Sequence, residues 1–398
     1  MQSYALTREQ MVGGTGVGIL TFVPDRWESY WQSRHHIMSR LAAHYKVLWV
    51  SPPTNWRDVP AENPRSFFKT GLKKASSSLW IYSPEYFLPV IYRPKWGANT
   101  LERLRVKRIK SFIAAMGIKR LVVYIWRPEF ASYSKEFNRD LLCYHIDDEY
   151  TFSDADLPTS SNETNLIKNA DVVFISSKTL IRKKGNLGSD VYYMPNGVDF
   201  SHYRNIVSNE NTYLPEFDNI PSPRIGYSGY IKEDLDLKLL LHIARKRKDW
   251  SLVLVGPVQE THLAIREDID LLRRENNVYF LGGKRPEDLP GYIKKMDVCL
   301  MCYRKNMYTH YIYPMKLHEY LACGKPIVAA ELENLKEFSN VLYFADDSEE
   351  WIDKIQIALG SRGPEMEIKR IEVASQNSWD QRVNTIRSII EKKLQRDS

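Results

Sequence analysis

The sequence predicts an α/β protein built from two Rossmann-like domains that face each other across a cleft. Length is the first reason: 398 residues exceed what one hydrophobic core ordinarily supports, so two domains of similar size are expected. The second is a repeated alternation of short apolar, β-rich runs with helical patterns, which implies parallel sheets covered by helices. A polar, proline-broken stretch from about Phe200 to Pro223 separates the two series and reads as a linker. The expected units are a first domain over 1–205, a second over 220–377, and a closing helical segment over 378–398.

In the first series Ile19–Val23, Lys46–Ser51, Leu121–Trp126, Leu141–Ile146 and Asp171–Ser176 read as strands, and Tyr30–Tyr45 as a helix. The second series offers strands at Arg224–Ser228, Ser251–Val255, Val278–Leu281, Asp297–Tyr303 and Ile327–Ala330, with a helix over Leu235–Lys246. Helical periodicity returns from about Asp380 to Leu394. Gly13-Gly-Thr-Gly-Val-Gly18 is the richest glycine run, but it precedes its strand, the wrong order for a dinucleotide-binding turn.

Within the second series, Tyr313-Pro-Met-Lys-Leu-His-Glu-Tyr-Leu-Ala-Cys-Gly-Lys-Pro-Ile-Val-Ala-Ala330 places Lys316 and Glu319 three apart at the start of a short helix that Gly324 ends. A cation and a carboxylate on that face can hold a phosphate and accept hydrogen bonds from sugar hydroxyls; an ordinary surface ion pair has the same spacing. Gly226-Tyr-Ser-Gly229 stands at a strand end, where backbone N–H groups can approach a phosphate or simply make a tight turn. Gly283, Lys284 and Arg285 follow the third strand of the series, and Tyr303 and Arg304 the fourth, at the edge where open α/β sheets bind ligands.

The Pro314–Val328 segment resembles the donor-site signature of GT-B glycosyltransferases, most of all a glycosyltransferase 4-like group that includes teichuronic acid and exopolysaccharide enzymes. The resemblance extends through Trp31–Ala42, Asp147-Asp148, Pro195-Asn-Gly-Val-Asp199, Arg224–Gly229, Gly256-Pro257, Phe280–Gly283 and Ser378–Arg382. It implies that Glu319 binds the ribose of a nucleotide sugar, with Tyr313, Met315 and Lys316 near the nucleotide and its phosphates. It also implies loops at Gly226, Ser228, Gly229 and Gly283–Arg285 around phosphate and base, and a last helix that returns to the first domain. One departure stands out. Many retaining members carry a second Glu eight residues before the helix Glu, and this chain has Tyr311 there.

On the first-domain side, Tyr144-His-Ile-Asp-Asp-Glu149 ends a strand. Transfer with inversion needs a group that takes the acceptor's proton, and Asp148, then Asp147, with His145 beside them, are the candidates. A helix N-cap followed by first-turn acids is an equal reading of the same residues. Trp27, Arg34 and His35 fall in the region that the resemblance assigns to the acceptor. No metal and no cofactor are expected, because His35-His36 lacks the spacing partners of a metal site and the nucleotide sugar is a substrate. Cys299-Leu-Met-Cys302 lies inside an apolar strand and lacks a second pair.

Composition narrows the partners. Hydrophobic content of 43% and charged content of 26% are those of a globular protein. Residues 1–200 hold 27 Lys and Arg against 19 Asp and Glu, and residues 201–398 hold 29 against 30, so the net +7 comes from the first half. Its densest part, Leu101–Met116, follows the aromatic segment Tyr86–Tyr92 and Trp96. Two readings stay open: a helix at an anionic membrane surface, or an amphipathic helix with solvated charges. No nucleic-acid motif accompanies the charge. With no run of eighteen apolar residues, a cytoplasmic enzyme peripheral to the inner face of the membrane is expected. It would move a sugar from a donor, UDP-linked by expectation, to a lipid-linked or polysaccharide acceptor; a nucleotide-sugar 2-epimerase or a non-catalytic sugar-nucleotide binder are the rival readings.

Overall fold

A computed structural model describes residues 16–53, 70–90, 95–151, 155–209, 213–259, 263–361 and 363–396. Two sheets form the framework. The first runs β3-β4-β2-β1-β5-β6-β7-β8, with β1 Val17–Phe22, β2 Lys46–Val50, β3 Gly71–Lys74, β4 Leu79–Ser83, β5 Arg120–Ile125, β6 Leu141–Ile146, β7 Val172–Ile175 and β8 Val191–Tyr193. All neighbours are parallel except the edge pair β3 and β4. The second runs β11-β10-β9-β12-β13-β14 and is parallel throughout, with β9 Arg224–Ser228, β10 Ser251–Val255, β11 Val278–Gly282, β12 Val298–Met301, β13 Ile327–Ala330 and β14 Tyr343–Ala345.

Strands buried on both faces must be apolar along their whole length, which is why β1, β6, β7, β10, β12 and β13 are continuous buried runs. The sheet order also fixes where ligands fit. The connections reverse direction between β1 and β5 in one sheet and between β9 and β12 in the other, and the carboxyl ends of such strand pairs open into a crevice.

The segment read as a linker carries a helix, Phe200–Ser208, whose Tyr203 joins Phe217 and Ile220 in the second core. Polarity misled there because Asp199 caps the helix through the His202 N–H, so only one apolar face was needed. The closing helix, Trp379–Arg396, buries Trp379, Val383, Ile386, Ile390 and Leu394 in the first domain's core, the return that the resemblance implied. Chain crossings in both directions are stitched together: the Val198 N–H donates to the Asn377 carbonyl at 3.1 Å, and the Trp379 N–H to the Val198 carbonyl at 3.0 Å. A Cβ at Gly197 would stand 2.8 Å from that Asn377 oxygen, so glycine is required by close backbone approach. Arg40 pairs with both Asp199 and Asp380 at 2.9 Å beside the stitch.

The basic helix spans Lys95–Ala115 and buries Val106 and Ile109. Cys143, Cys299, Cys302 and Cys323 are buried free thiols, and burial pushes the Cys299 and Cys302 thiols up to about 12. Of the early glycine run, Gly13 and Gly14 lie outside the described residues, as do Ile91 and Tyr92 of the aromatic segment. No helix among the described residues is long and apolar enough to cross a membrane.

Candidate active site between the two domains

On the second domain, the donor helix Lys316–Ala322 starts behind Pro314 and stops at Gly324, whose φ of 70° lets the chain turn away. Lys316 points back over the Tyr227 ring, its ammonium 5.3 Å from the centroid, and has no hydrogen bond or ion pair among the described residues. Burial lowers its pKa; Glu319 and Asp234 oppose that shift and Lys232 adds to it. Burial likewise raises the pKa of Glu319, against the pull of Lys316 and a hydrogen bond from Tyr203. These two half-buried groups are held side by side at a cost in solvation, which is more than a surface pair demands.

Lys316 packs on Gly229, where a Cβ would overlap the lysine's Cε. From there a floor of glycines crosses the strand ends. Gly229 has φ 144°, Gly256 has φ 150° with its α-carbon against the Gly229 carbonyl, and the Gly256 N–H donates to the carbonyl of Gly282, φ 68°, at 2.9 Å. Side chains are excluded by backbone angle at all three and by space at Gly229 and Gly256. The Gly229 N–H itself is spent on the Val255 carbonyl at 2.8 Å, so the loop offers a surface more than a set of free donors.

Several predicted donor residues have other jobs. Gly226 lies inside β9, paired with Val253 and Cys299, and a Cβ there would overlap Met296, so it is a packing glycine and not a phosphate turn. Ser228 is 2% exposed; its N–H donates to the Tyr320 hydroxyl at 2.8 Å, and its own hydroxyl is buried without a protein partner. Tyr313 is buried and shares a 2.8 Å hydrogen bond with His318 Nε2, which takes its side chain into the core and out of the crevice. Lys284 is pulled onto Glu216 at 3.1 Å and the Tyr292 ring, and Arg285 onto Asp288 at 2.8 Å; neighbouring acids draw both away from Lys316. Gly283 borders the end of the floor. Tyr303 is buried beside Tyr227, Arg304 donates its backbone N–H to the Asp234 carbonyl at 2.8 Å, and Met315 packs against the first domain's core.

Across the crevice, Asp147 and Asp148 differ sharply. Asp147 is engaged at both oxygens, accepting from Arg34 at 2.5 Å and from the Tyr150 hydroxyl at 2.8 Å. Arg34 also grips Asp25, which ties the loop after β1 to the loop after β6. Asp148 accepts the Glu149 N–H at 2.8 Å and, from the other domain, the Tyr308 hydroxyl at 3.3 Å. Burial and then the neighbouring Asp147 push its carboxyl up to about 7, the range that suits a proton acceptor near neutral pH.

His145 stands elsewhere. It is 1% exposed, stacked on Trp126 at 4.3 Å, and bonded to the Tyr124 hydroxyl at 2.8 Å, and burial holds it at about 3. It is a core histidine because alternation along β6 puts it on the same face as Cys143. His35 is equally buried: its Nδ1 accepts the Gln32 N–H at 3.1 Å, closing the start of helix Ser33–Leu41. Trp27 packs edge-on against Trp49 at 5.1 Å and against Trp31 at 5.6 Å.

Three residues of the crevice escaped the sequence reading. Arg127 follows β5, and its guanidinium lies 4.5 Å over the Tyr150 ring with no hydrogen bond or ion pair among the described residues. Lys232 follows β9, pairs with Asp234, and places its ammonium 5.2 Å over the Tyr308 ring. Tyr308 is the third. All stand just past a strand end, or against one, at the two reversal points, and that position was the available signal.

Comparisons with known proteins agree with the fold. Residues 222–361 match the family model described as "Glycosyl transferases group 1". The chain is 28% identical, over 87% of its own length and 90% of the relative's, to a "Putative teichuronic acid biosynthesis glycosyltransferase TuaH" of Bacillus subtilis. Among solved structures it is similar to Anabaena HepE in complex with UDP and glucose, at TM-score 0.67 and 16% identity, covering 94% of this chain and 99% of that one. The trehalose-6-phosphate enzyme of E. coli bound with UDP-2-fluoro glucose gives TM-score 0.68 at 12% identity, covering 95% and 99%. Sucrose-phosphate synthase of Thermosynechococcus elongatus gives 0.67 at 16%, covering 94% and 98%. The chain is therefore a glycosyltransferase of GT-B fold, and its second half carries the group 1 glycosyl transferase domain.

Proposed function

We propose that the enzyme transfers a sugar from a UDP-linked donor to a lipid-linked or polysaccharide acceptor in cell-surface polysaccharide synthesis, working at the cytoplasmic face of the membrane. The observation that carries the reading is Lys316, a desolvated ammonium with no acidic hydrogen-bond partner, at the head of the glycine floor. In the proposed complex Lys316 neutralises the donor diphosphate as its charge grows in the transition state. Glu319 accepts from the ribose hydroxyls. Asp148 receives the proton of the attacking hydroxyl, and Arg34, through Asp147, keeps the loop that presents it in place.

Uridine is favoured by the UDP and UDP-2-fluoro glucose held by two of the similar structures, and the polysaccharide acceptor by the teichuronic acid relative. Support for a lipid surface comes from Phe87, Trp96 and Leu104, which are 57%, 75% and 46% exposed beside the basic helix. Arg105 ties that helix to the aromatic loop by donating to the Leu88 and Pro89 carbonyls at 3.1 and 2.9 Å. Exposed aromatic side chains next to cations suit an anionic interface.

Incubation with a panel of UDP- and GDP-sugars, with and without membrane lipid extract, tests the proposal through nucleotide release. Release that depends on a UDP-sugar and rises with the extract is the expected result. Epimerised donor without acceptor would overturn the transferase assignment, and donor binding without turnover would make the chain a sugar-nucleotide binder.

A further inference from the structure

The loop after β1 reaches across to the second domain. It is anchored at one end by Asp25 on Arg34 and at the other by Trp31, whose ring packs on Trp27 and on His36. Between these anchors Tyr30 projects outward, 58% exposed and without a hydrogen bond among the described residues. Its hydroxyl lies 3.4 Å from where a Cβ on Gly283 would stand, with Pro257 at 3.7 Å from the same point. A large aromatic side chain thus hangs over the far end of the glycine floor, opposite Lys316.

The floor has a measurable reach. It begins on β9 at Gly229, crosses β10 at Gly256 and ends on β11 at Gly282 and Gly283. Two strand spacings are about 10 Å, the scale on which a nucleotide extends from its diphosphate to its base. Gly282 has open space where a side chain would be. A flat heterocycle can rest on the open Gly282 backbone and beside Tyr30, whose hydroxyl closes off Gly283.

We propose that Tyr30 forms the outer wall of the nucleobase site, so that the base of the donor rests on the second domain's Gly282 backbone and against an aromatic side chain supplied by the first domain. This rests on the donor reading above and adds a residue that neither the donor signature nor the second domain contains. The ring is the working part, since every base presents a π-face to an aromatic neighbour. Because the two walls belong to different domains, a bound base also holds the domains together, and donor binding favours the arrangement in which Asp148 meets Tyr308.

Titration of UDP into the full-length protein, read by calorimetry and by quenching of the nearby Trp27 and Trp31, tests the wall. Inorganic pyrophosphate serves as a second probe that carries the charge without the base, with its affinity measured by competition against UDP. Tyr30→Ala is expected to weaken UDP about five- to twentyfold and to leave pyrophosphate affinity and the thermal midpoint unchanged. Tyr30→Phe should bind UDP within about twofold of the wild type, because the ring remains. Lys316→Ala is the control for the donor site and should weaken both probes. Unchanged UDP affinity in Tyr30→Ala, with loss in Lys316→Ala, would overturn the wall and leave the donor site standing. Equal weakening of UDP and pyrophosphate by Tyr30→Ala would also overturn it, since the loop would then act on charge or closure and not on the base. If neither variant changes UDP binding, the donor assignment falls and the wall falls with it.

Discussion

Replacing Asp148 with Asn should stabilise the protein, and should do so more as the pH rises. The carboxyl is shifted from 3.8 to about 7, first by burial and second by Asp147. Its folded pKa therefore lies above its unfolded one, so the folded state holds the proton more tightly. Below about pH 4 both states are protonated and the group costs nothing. Between pH 4 and 7 the unfolded chain ionises while the folded chain resists, and stability falls; above 7 the loss is constant. Three units correspond to a ceiling of about 4 kcal/mol. At pH 5 the same arithmetic gives a ceiling of about 1.5 kcal/mol. Asn keeps the shape and can accept the Glu149 N–H, so the variant removes charge with little repacking. Urea midpoints for wild type and Asp148→Asn at pH 5 and pH 8, followed by tryptophan fluorescence, measure the difference. A gap in favour of Asn that widens with pH is expected, together with a fall in turnover and little change in donor affinity. A gap that ignores pH, or an Asn variant less stable at pH 8, would refute the reasoning.

Glu319→Ala should weaken UDP binding by about 1–3 kcal/mol in a calorimetric titration, and unchanged affinity would remove Glu319 from the ribose role. Gly229→Ala should lose at least about tenfold in donor affinity, because φ 144° strains any side chain and the new methyl displaces Lys316. Combining it with Lys316→Ala should add little further loss, and additive losses would mean that the glycine acts independently of the lysine. Lys184→Met should lower stability by about 3–5 kcal/mol, since it strands the fully buried Glu163 that Lys184 meets at 2.8 Å and the Glu149 that it meets at 3.2 Å. An unmoved thermal midpoint would show that the buried Lys184 pairs do not support the fold.

Parallel strands buried on both faces announce themselves as apolar runs, so β6, β9, β10 and β13 were placed to the residue from sequence. The donor helix was as legible, because Pro314, Lys316, Glu319 and Gly324 act within one local segment. The short edge strands β3, β8 and β14 were not, since they are half-exposed and carry no periodic signal. Long-range pairing hid the rest. Lys184 ends a run of Arg182, Lys183 and Lys184 that reads as a solvated helix end, yet it is fully buried against Glu163 and Glu149, far back along the chain. His145 was misplaced for a different reason: one residue separates the face of β6 that packs into the core from the strand end that opens on the crevice. Only the period of two, carried from Cys143, distinguishes them.

The departure at Tyr311 gains its meaning from the helix that carries it. Met307–Tyr311 is a short bridge from the second domain to the first. The Tyr311 hydroxyl donates to Asp156 at 2.8 Å while Lys183 sits 4.8 Å over its ring, and the His310 carbonyl accepts from Thr179 at 3.1 Å. Asn334 completes the joint by holding the His310 and Ile312 carbonyls and the Thr179 N–H. A carboxylate at position 311 would face Asp156 and could not make that hydrogen bond while both are ionised. The side chain that reaches the crevice from the same helix is Tyr308, one turn earlier, set between Lys232 and Asp148. Asp148 of the first domain and the Lys232–Asp234 pair of the second thus meet at the Tyr308 side chain, and not at position 311.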